Sequence, residues 1–499
     1  METEFPDLPR LETDLHVDVC VVGAGIAGLT TAYLLARAGK SVAVIDSNPL
    51  SCAQSLRTTA HLSSVLDSRY FNLERVHGIN STRTAVESHM AAIHQIEAII
   101  EDEDIQCDFE RLDGYLFAPS HEQSELINRE YQSAKRIGVT EVEFLLTAPL
   151  DFWETGPCLR FPNQAQFHPA KYLLGLIDAI HRLNGQIFSH TRATRICGGK
   201  IAQVDTDGAA KIMSSSVIVA TNTPINDRFV VHTKQAAYRS YAIGARIPAG
   251  SVGRALYWDT LDPFHYVRVA SVLTDWGSDS EMLIVGGEDH KTGQKENLGN
   301  PFTMLERWTR RVFPMIESVD YRWSGQIMES VDGLAFIGRN PADNDNVYIA
   351  TGDCGNGMTY GTIAGILIRD LILGHDNDWK QLYDPSRTSL RSSGEYISEN
   401  ANAAVQYTDW LTPGEVDTVN QIARGSGAIL RRGCSKIAVY RNPNGRLIEL
   451  SAVCPHLKGI VSWNPQEKTW DCPCHGSRFA PNGTVINGPS TSGLEGVKK

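Results

Sequence analysis

The sequence predicts an α/β protein that carries a small all-β domain at its C-terminal end. Near the N-terminus, the hydrophobic pattern changes from strand to helix and back to strand, which defines a βαβ unit. Its elements are Val17–Val22, Ile26–Ala38 and Ser41–Asp46. Beyond Pro413, short runs of β-type sequence alternate with turns, as in an all-β fold. These runs are Ala428–Arg431, Lys436–Tyr440 and Arg446–Ser451.

Length and charge exclude several classes of protein. A chain of 499 residues with 42% hydrophobic residues has room for several soluble domains. The 46 basic and 58 acidic residues give a net charge of −12, so nucleic acid is not an expected partner. The acidic N-terminus lacks the pattern of a signal peptide, and the apolar run Val17–Leu29 is too short for a membrane helix. We therefore expect a cytoplasmic protein without membrane contact.

A polar stretch separates the two parts of the chain. Between Gln381 and Trp410 the sequence is rich in Ser, Asn and Asp, and Leu411-Thr412-Pro413-Gly414 follows. Such composition is typical of a linker, so we place the domain boundary there. The prediction is a first module over residues 1–385, a linker over 386–412 and a small domain over 413–499.

The first strand ends in a glycine motif, Gly23-Ala24-Gly25-Ile26-Ala27-Gly28, which opens the following helix. Residues without Cβ permit a tight turn and a close approach of pyrophosphate to the backbone, and the helix N-terminus attracts its charge. Asp46 ends the second strand, where its carboxylate can accept from a ribose hydroxyl. The motif predicts dinucleotide binding, and the alternative is a glycine-rich turn without a ligand.

A second strand, glycine turn and helix occur at Val347–Thr359, and the helix continues to Leu373. The helix N-terminus would again direct backbone donors at an anionic group, and a helix cap that requires glycine is the alternative. Together with Val217–Asn222 and Gly333–Arg339, these segments resemble the D-amino-acid/glycine/sarcosine oxidase superfamily of FAD enzymes over residues 15 to 385.

This resemblance implies an α/β (α+β) FAD-binding domain of the GR2 type with an inserted substrate domain. The FAD-binding segments would be about 15–80, 150–222 and 326–385, and the substrate domain about 80–150 and 225–325. The expected FAD-binding residues are Gly23, Gly25, Ile26, Ala27, Gly28, Asp46, Ser47, Arg57, Thr58, Thr59, Ala60, His61, Ala220, Thr221, Gly352, Asp353, Gly355, Asn356, Gly357, Met358 and Thr359.

His61 has two interpretations. In the sarcosine and dimethylglycine dehydrogenases of this superfamily, a histidine near this position is joined covalently to the flavin. The alternative is a histidine that forms hydrogen bonds or packs in the core.

The C-terminal domain contains a paired cysteine and histidine motif. Cys454-Pro455-His456 is followed after fifteen residues by Cys472-Pro473-Cys474-His475. Cys454 and Cys472 could hold one iron of a [2Fe-2S] cluster and His456 and His475 the other, although the same four ligands could also bind zinc. The flanking Gly476-Ser477 and Gly488-Pro489 segments resemble a Rieske domain, which implies the cluster.

Two positions differ from the Rieske proteins of the cytochrome complexes. The resemblance places Gly459 where those proteins have the partner of a disulfide with Cys474, and Phe479 where they have a tyrosine near the cluster. Ser477 remains as a donor to cluster sulfur. Fewer hydrogen bonds stabilise the reduced cluster less, so we expect a potential in the lower part of the Rieske range.

Two redox centres on one chain predict an oxidoreductase in which FAD accepts a hydride and the cluster removes electrons singly. The superfamily resemblance implies a small amine or amino-acid derivative oxidised at its C–N bond. The external acceptor, O₂ or a redox carrier, is not identified by the sequence. The alternatives are a flavin monooxygenase fed by the cluster, and an electron-transfer or redox-sensing flavoprotein without turnover.

Substrate-binding residues are less well marked. The superfamily's carboxylate-binding arginine would fall at Ile327, which argues against a free α-amino acid. Strand alternation places His265 on the opposite face from Tyr266 and Arg268, and one face should line the cavity above the flavin. The catalytic candidates are His265, Tyr266, Arg268 and Glu329, with Arg239 as a second cation for an acidic substrate group.

Overall fold

The N-terminal βαβ pattern forms the centre of an eight-stranded sheet in the computed structural model, which describes residues 3–226, 231–271, 279–294, 299–388, 393–410 and 412–497. The central strands are parallel, and the first strand, Leu15–Val22, lies between two of them. In spatial order the strands are Phe336–Arg339, Val347–Thr351, Lys211–Val219, Leu15–Val22, Val42–Ile45 and Gln186–Phe188, and Ala193–Cys197 and Ala202–Thr206 extend the sheet beside Lys211–Val219.

The register of this sheet aligns the carboxyl ends of its strands. Val22 pairs with both Ile45 and Val219, so the residues that follow these strands meet at one edge. Parallel strands of an open α/β sheet place their ligand site at this edge. The helices Ile26–Arg37 and Gly357–Leu373 both begin there and pack against each other.

A second sheet lies beside the first and has nine strands. Its long strands Gln235–Pro248, Ser280–Lys291 and Ser318–Ser330 pair antiparallel, and alternate residues of each face a separate hydrophobic core. The other strands are Tyr266–Ser271, Leu256–Asp259, Glu110–Phe117, Cys158–Gln166, His61–Leu62 and Glu143–Leu145. The remaining helices of the first module are Tyr70–His77, Ile79–Asp102, Ser124–Ile137, Pro169–Arg182, Pro301–Val312 and Trp379–Leu382.

Three strands of this second sheet come from segments that we assigned to FAD binding from the sequence. They are His61–Leu62, Cys158–Gln166 and most of the C-terminal half of Ser318–Ser330. A strand's period shows that it belongs to a sheet but not to which sheet, so the predicted segment boundaries carried no information on this pairing. The chain therefore passes between the two sheets more often than the three predicted FAD-binding segments suggest.

The C-terminal domain consists of two small antiparallel sheets. The first contains Ser426–Arg432, Ser435–Arg441 and Leu447–Ser451, and the second contains Ser462–Asn464, Thr469–Asp471, Arg478–Phe479 and Val485–Asn487. The segment predicted as a linker contains the helix Ser393–Gln406. Leu411 of the predicted boundary, and residues 389–392 of the linker, lie outside the described residues.

The two modules are joined by buried charges. Arg239 of the second sheet is fully buried and donates to Glu467 of the C-terminal domain at 2.8 Å and to the Ser324 hydroxyl at 2.5 Å. Glu467 also lies 3.4 Å from Arg478, which pairs with the buried Asp471. Because a buried charge requires a partner, this network holds the C-terminal domain in one position on the sheet.

Of the helices in the described ranges, none has both the length and the apolar composition that a membrane crossing requires.

Replacing Arg239 by methionine removes the cation and leaves Glu467 in the interface without it. We expect Arg239→Met to lower the free energy of unfolding by about 3–5 kcal/mol, measured by urea denaturation. Arg246→Met is the matched control, because Arg246 lies on the same strand in a partly exposed pair with Asp320. It should cost less than about 1 kcal/mol, and equal losses for both variants would contradict the role of Arg239.

Candidate functional site

The glycine motif forms a cradle at the carboxyl edge of the first sheet. Gly23 has φ +109°, and a Cβ there would lie 2.4 Å from the carbonyl oxygen of Ala220. The turn is closed by the Asp46 carboxylate, which accepts from the backbone N–H of Ala24 at 2.9 Å and from that of Asn48 at 3.0 Å. Only a residue without a side chain fits the first turn, as dinucleotide binding requires.

A continuous cleft runs from this cradle to the second sheet, with an empty volume of about 2030 Å³ that is partly open to solvent. Most residues predicted to bind FAD line it, although they come from five separate stretches of the chain. They are Gly23, Gly25, Ile26, Ala27, Asp46, Ser47, Arg57, Thr58, Thr59, His61, Ala220, Thr221, Asp353, Gly355, Asn356, Gly357 and Met358. The glycine cradle and the helix N-termini fit an extended dinucleotide such as FAD.

Four predicted FAD-binding residues do not line the cleft. Gly28 packs inside the turn, where a Cβ would lie 1.8 Å from the Gly23 carbonyl oxygen. Ala60 and Gly352 have positive φ and shape the backbone behind the surface. The Thr359 hydroxyl lies 2.7 Å from Nδ1 of the buried His89. These residues support the cleft from behind.

His61 lies in the cleft between the rings of Trp258 and Tyr266, each with a centroid separation of 5.7 Å. Its Nδ1 is 3.1 Å from the Thr59 hydroxyl and its Nε2 is 3.3 Å from the carbonyl oxygen of Val267. Both ring nitrogens are therefore engaged. Burial lowers the pKa of His61 to about 3, so the ring is neutral. The structure favours the hydrogen-bonding interpretation of this histidine.

Of the four catalytic candidates, Tyr266 alone lines the cleft. His265 faces the other way, where it stacks on Trp308 at 3.9 Å and its Nδ1 is 2.8 Å from Asp259. Arg268 is buried, and its guanidinium donates to the carbonyl oxygen of Thr59 and to Gln166. The face of the strand that carries Tyr266 is thus the one turned toward the cleft.

Several buried carboxylates lie at or near the part of the cleft that adjoins the second sheet. Burial raises the pKa of Asp67 and of Asp353 to about 6 and that of Asp289 to about 7. Glu329 lies close behind them, and burial together with the charges of these three groups raises its pKa to about 8. Such a group of carboxylates favours a cation in the cleft.

Sequence reasoning missed several of the residues that line the cleft. Asp289 and Ser240 come from strands that were assigned only to the substrate domain as a whole, and Arg192 follows a short edge strand. Ile486, Asn487, Gly488 and Thr491 belong to the C-terminal domain. No local motif marks these residues, because their position depends on which strands become neighbours.

The paired cysteine and histidine motif converges at the tip of the C-terminal domain. The Cys454 sulfur lies within hydrogen-bond reach of the Cys472 sulfur, and both residues are buried. The rings of His456 and His475 lie side by side, with centroids 5.2 Å apart. Nδ1 of His475 is buried and bonds to no described residue. A pair of sulfurs in contact and a pair of neighbouring imidazoles are the donor set that the two irons of a [2Fe-2S] cluster require.

The loops that carry these ligands are joined without a disulfide. Cys474 is free, and a Cβ on Gly459 would lie 2.5 Å from its sulfur. Tyr407, from the segment predicted as a linker, donates to the carbonyl oxygen of Leu457 at 2.7 Å and lies within hydrogen-bond reach of the Cys474 sulfur. This tyrosine therefore connects the two ligand loops where the cytochrome-type proteins have a covalent bridge.

The two positions that the sequence singled out near the expected cluster differ in their capacity to donate a hydrogen bond. The Ser477 hydroxyl is within hydrogen-bond reach of the Cys454 sulfur. Phe479 is fully buried and offers no donor. The Ser477 hydroxyl thus lies where we predicted from the sequence a donor to cluster sulfur.

The imidazole end of the motif contacts the first module. The His232 ring lies 4.9 Å from that of His456 and 5.3 Å from that of His475. Nearby, a Cβ on Gly476 would lie 2.4 Å from the Cβ of Ala237 and 2.6 Å from Nε2 of Gln326. Gln326 also lines the cleft, so one side chain separates the cleft from the ligand loop.

Comparison with known families agrees with this geometry. Residues 18–371 match the family described as FAD dependent oxidoreductase (DAO), and residues 412–498 match the Rieske [2Fe-2S] domain. The chain belongs to the DAO family of FAD-dependent oxidoreductases and carries a Rieske domain at its C-terminal end. The predicted family, fold class and cofactors are confirmed, and the Rieske match decides for the cluster over zinc.

Individual relatives share this organisation to different extents. YhfW of Bacillus subtilis, named as a Rieske 2Fe-2S iron-sulfur protein, is 30% identical over 99% of this chain and 96% of its own length. γ-Glutamylputrescine oxidoreductase of Escherichia coli is 25% identical over 74% of this chain and 87% of its own length. Glycine oxidase from Geobacillus kaustophilus has a TM-score of 0.61 over 75% of this chain and 99% of its own, at 17% identity, which shows the fold alone.

The two neighbouring cysteines Cys472 and Cys474 provide a direct test of the ligand set. We expect Cys472→Ser to lose the cluster, because a thiolate ligand is removed, and Cys474→Ser to retain it. The measurements are iron content per chain and the rhombic EPR signal of the reduced protein. Loss of the cluster from Cys474→Ser with retention in Cys472→Ser would reverse the assignment.

The contacts of His61 predict that FAD is held without a covalent bond. Acid precipitation of the purified protein should leave the yellow colour in the supernatant, because both ring nitrogens of His61 already have partners. Absorbance of the supernatant at flavin wavelengths measures this. Colour that stays with the precipitate in the wild-type protein but not in His61→Ala would contradict it.

Proposed function

We propose that the protein oxidises a small amine or amino-acid derivative at its C–N bond and passes the electrons on through its cluster. When bound, FAD would accept the hydride that leaves the carbon next to nitrogen, and the C–N bond of the substrate would become a C=N bond. The [2Fe-2S] cluster would carry the two electrons one at a time to an external acceptor. The observation that carries this proposal is the carboxylate of Asp289, which opens into the FAD cleft.

Asp289 is placed to receive an ammonium group. Its Oδ1 is buried and accepts no hydrogen bond from any described residue, while the Ser240 hydroxyl bonds to the carboxylate. Ser240 in turn lies 2.5 Å from the hydroxyl of Tyr266. Asp67 and Asp353 add negative potential in the same cleft. A cationic amine would supply the partner that Oδ1 lacks.

The same carboxylate can remove the proton that blocks the reaction. An ammonium has no lone pair, so the amine must become neutral before the adjacent C–H bond can give up a hydride. With a pKa raised by burial to about 7, Asp289 can accept that proton at Oδ1 near neutral pH. Tyr266 and Ser240 hold the carboxylate in position while it does so.

The walls of the cleft suit a substrate with an apolar body. Trp258, Phe264 and Tyr266 line one side, and Ile327 lies where the superfamily's carboxylate-binding arginine would stand. Arg239 and Arg268, the other candidates for binding an acid, both point elsewhere and are engaged by protein groups. Aromatic walls exclude water and also favour cations. A substrate with an amine and no obligatory carboxylate fits these surroundings.

Contacts between the modules support electron transfer within the chain. Gln326 lines the cleft and touches Gly476, the residue next to the ligand His475. His232 covers both ligand imidazoles from the side of the first module. The relative from E. coli, whose name specifies γ-glutamylputrescine, supports an amine as the donor class.

The test is an anaerobic titration with primary amines, diamines and N-methylamines, in which flavin absorbance and cluster EPR are followed together. At least one class should bleach the flavin and produce the EPR signal in step. A carboxylic acid is neutral below its pKa, so amine binding should weaken as the pH falls through about 7, the pKa of Asp289. Asp289→Asn should weaken binding about tenfold to a hundredfold and remove the part of this pH dependence that falls near pH 7.

Asp320→Asn is the matched control, because Asp320 is an exposed carboxylate of the same sheet outside the cleft. It should bind amines as the wild type does. Failure of every amine class, or flavin and cluster reduced independently of each other, would contradict the proposal. Oxygen from labelled O₂ in the product would instead favour the monooxygenase.

A further inference from the structure

One segment of the Rieske domain lies between the two cofactor sites. Residues 485–491 are here called the covering loop. They begin with Val485–Asn487, the last strand of the second small sheet. Ile486, Asn487, Gly488 and Thr491 line the same cleft as the glycine cradle of the FAD module. A part of the electron-carrying domain thus forms a wall of the dinucleotide site.

The covering loop also packs on the second ligand loop of the cluster. A Cβ on Gly488 would lie 2.5 Å from the Cα of Ser477 and 2.7 Å from the carbonyl oxygen of Gly476. The backbone N–H of Ser490 donates to the Ser477 hydroxyl at 3.2 Å. Because Ser477 reaches the sulfur of Cys454, the covering loop is two contacts away from a cluster ligand.

On its other side the covering loop is bonded to the FAD module by three hydrogen bonds. Near the cradle, Asn48 donates to the Ile486 carbonyl oxygen at 3.3 Å, and Arg192 donates to that of Val485 at 3.5 Å. On the side of the second sheet, the Asn487 side-chain amide donates to Oε1 of Gln326 at 3.3 Å. These three hydrogen bonds fix the start of the covering loop on the FAD module.

The side chain of Asn487 has one group left over. Its Oδ1 is buried and makes no hydrogen bond to any described residue, although the residue lines the cleft. A buried carbonyl oxygen of this kind costs free energy unless a donor reaches it. The hydroxyl groups of a dinucleotide's sugar and ribityl parts are donors of the required kind.

We propose that the covering loop is part of the FAD site, with Asn487 as an FAD-binding residue, and that FAD and the cluster thereby stabilise each other's binding. FAD orders the loop from one side and the cluster orders it from the other. Two ligands that order the same element bind cooperatively, and the coupling is the same in both directions. The proposal concerns cofactor binding and holds whichever substrate the enzyme oxidises.

The first test uses the full-length chain with its cluster intact. Asn487→Ala should raise the dissociation constant for FAD about threefold to tenfold, measured by recovery of flavin fluorescence on dilution, with iron content unchanged. Asn482→Ala is the matched control, because Asn482 is an exposed asparagine of the same domain that lies outside the cleft, and its Oδ1 accepts a hydrogen bond from the backbone N–H of Thr484. An unchanged FAD affinity in Asn487→Ala would overturn the role of Asn487.

The second test measures the coupling from the cluster side. Iron release to a chelator should be slower from FAD-loaded than from FAD-stripped wild-type protein, and Asn487→Ala should reduce this difference. The Asn482→Ala protein should keep the full difference. Equal release rates with and without FAD in the wild type would overturn the coupling.

Discussion

Close contact at Gly476 is the constraint on which the proposed electron transfer between the two modules depends. The ligand loop reaches Ala237 and Gln326 only because residue 476 lacks a Cβ, and any larger residue would have to displace the sheet or the loop. Electron transfer falls steeply as the separation of its centres grows, so two redox cofactors on one chain are useful only when the intervening packing is thin. The ion pair of Arg239 and Glu467 holds the domain in the position that makes this contact.

Basic groups and acidic groups lie in different parts of the cleft. Arg192 and the helix N-termini lie at the cradle, where phosphates carry negative charge, whereas Asp67, Asp289 and Asp353 lie near the second sheet. Burial makes the carboxylates easy to protonate and costly to leave ionised without a cation. The positive end therefore suits the dinucleotide, and the negative end is consistent with the proposed amine. Arg239 and Arg268 of the second sheet instead form hydrogen bonds with protein groups.

Local motifs allowed much of the site to be predicted. The cradle from Gly23 to Asp46, the helix that begins at Gly357 and the four expected cluster ligands each lie on a short stretch whose spacing is tied to its chemistry. The gap between prediction and structure concerns residues whose roles depend on pairing between distant strands. Asp289, Tyr407 and Asn487 have no motif around them, and the strand Cys158–Gln166 could have joined either sheet on its period alone.

The sequence by itself determined the family, the two cofactors and the order of the modules, because glycine turns and cysteine–histidine pairs act within a few residues of each other. Only the tertiary structure decided which face of the strand Tyr266–Ser271 lines the cleft. It also decided that the covering loop of the Rieske domain lines the FAD cleft. Those outcomes follow from sheet register, domain docking and burial, which act between residues up to several hundred positions apart. A local pattern carries no information about them.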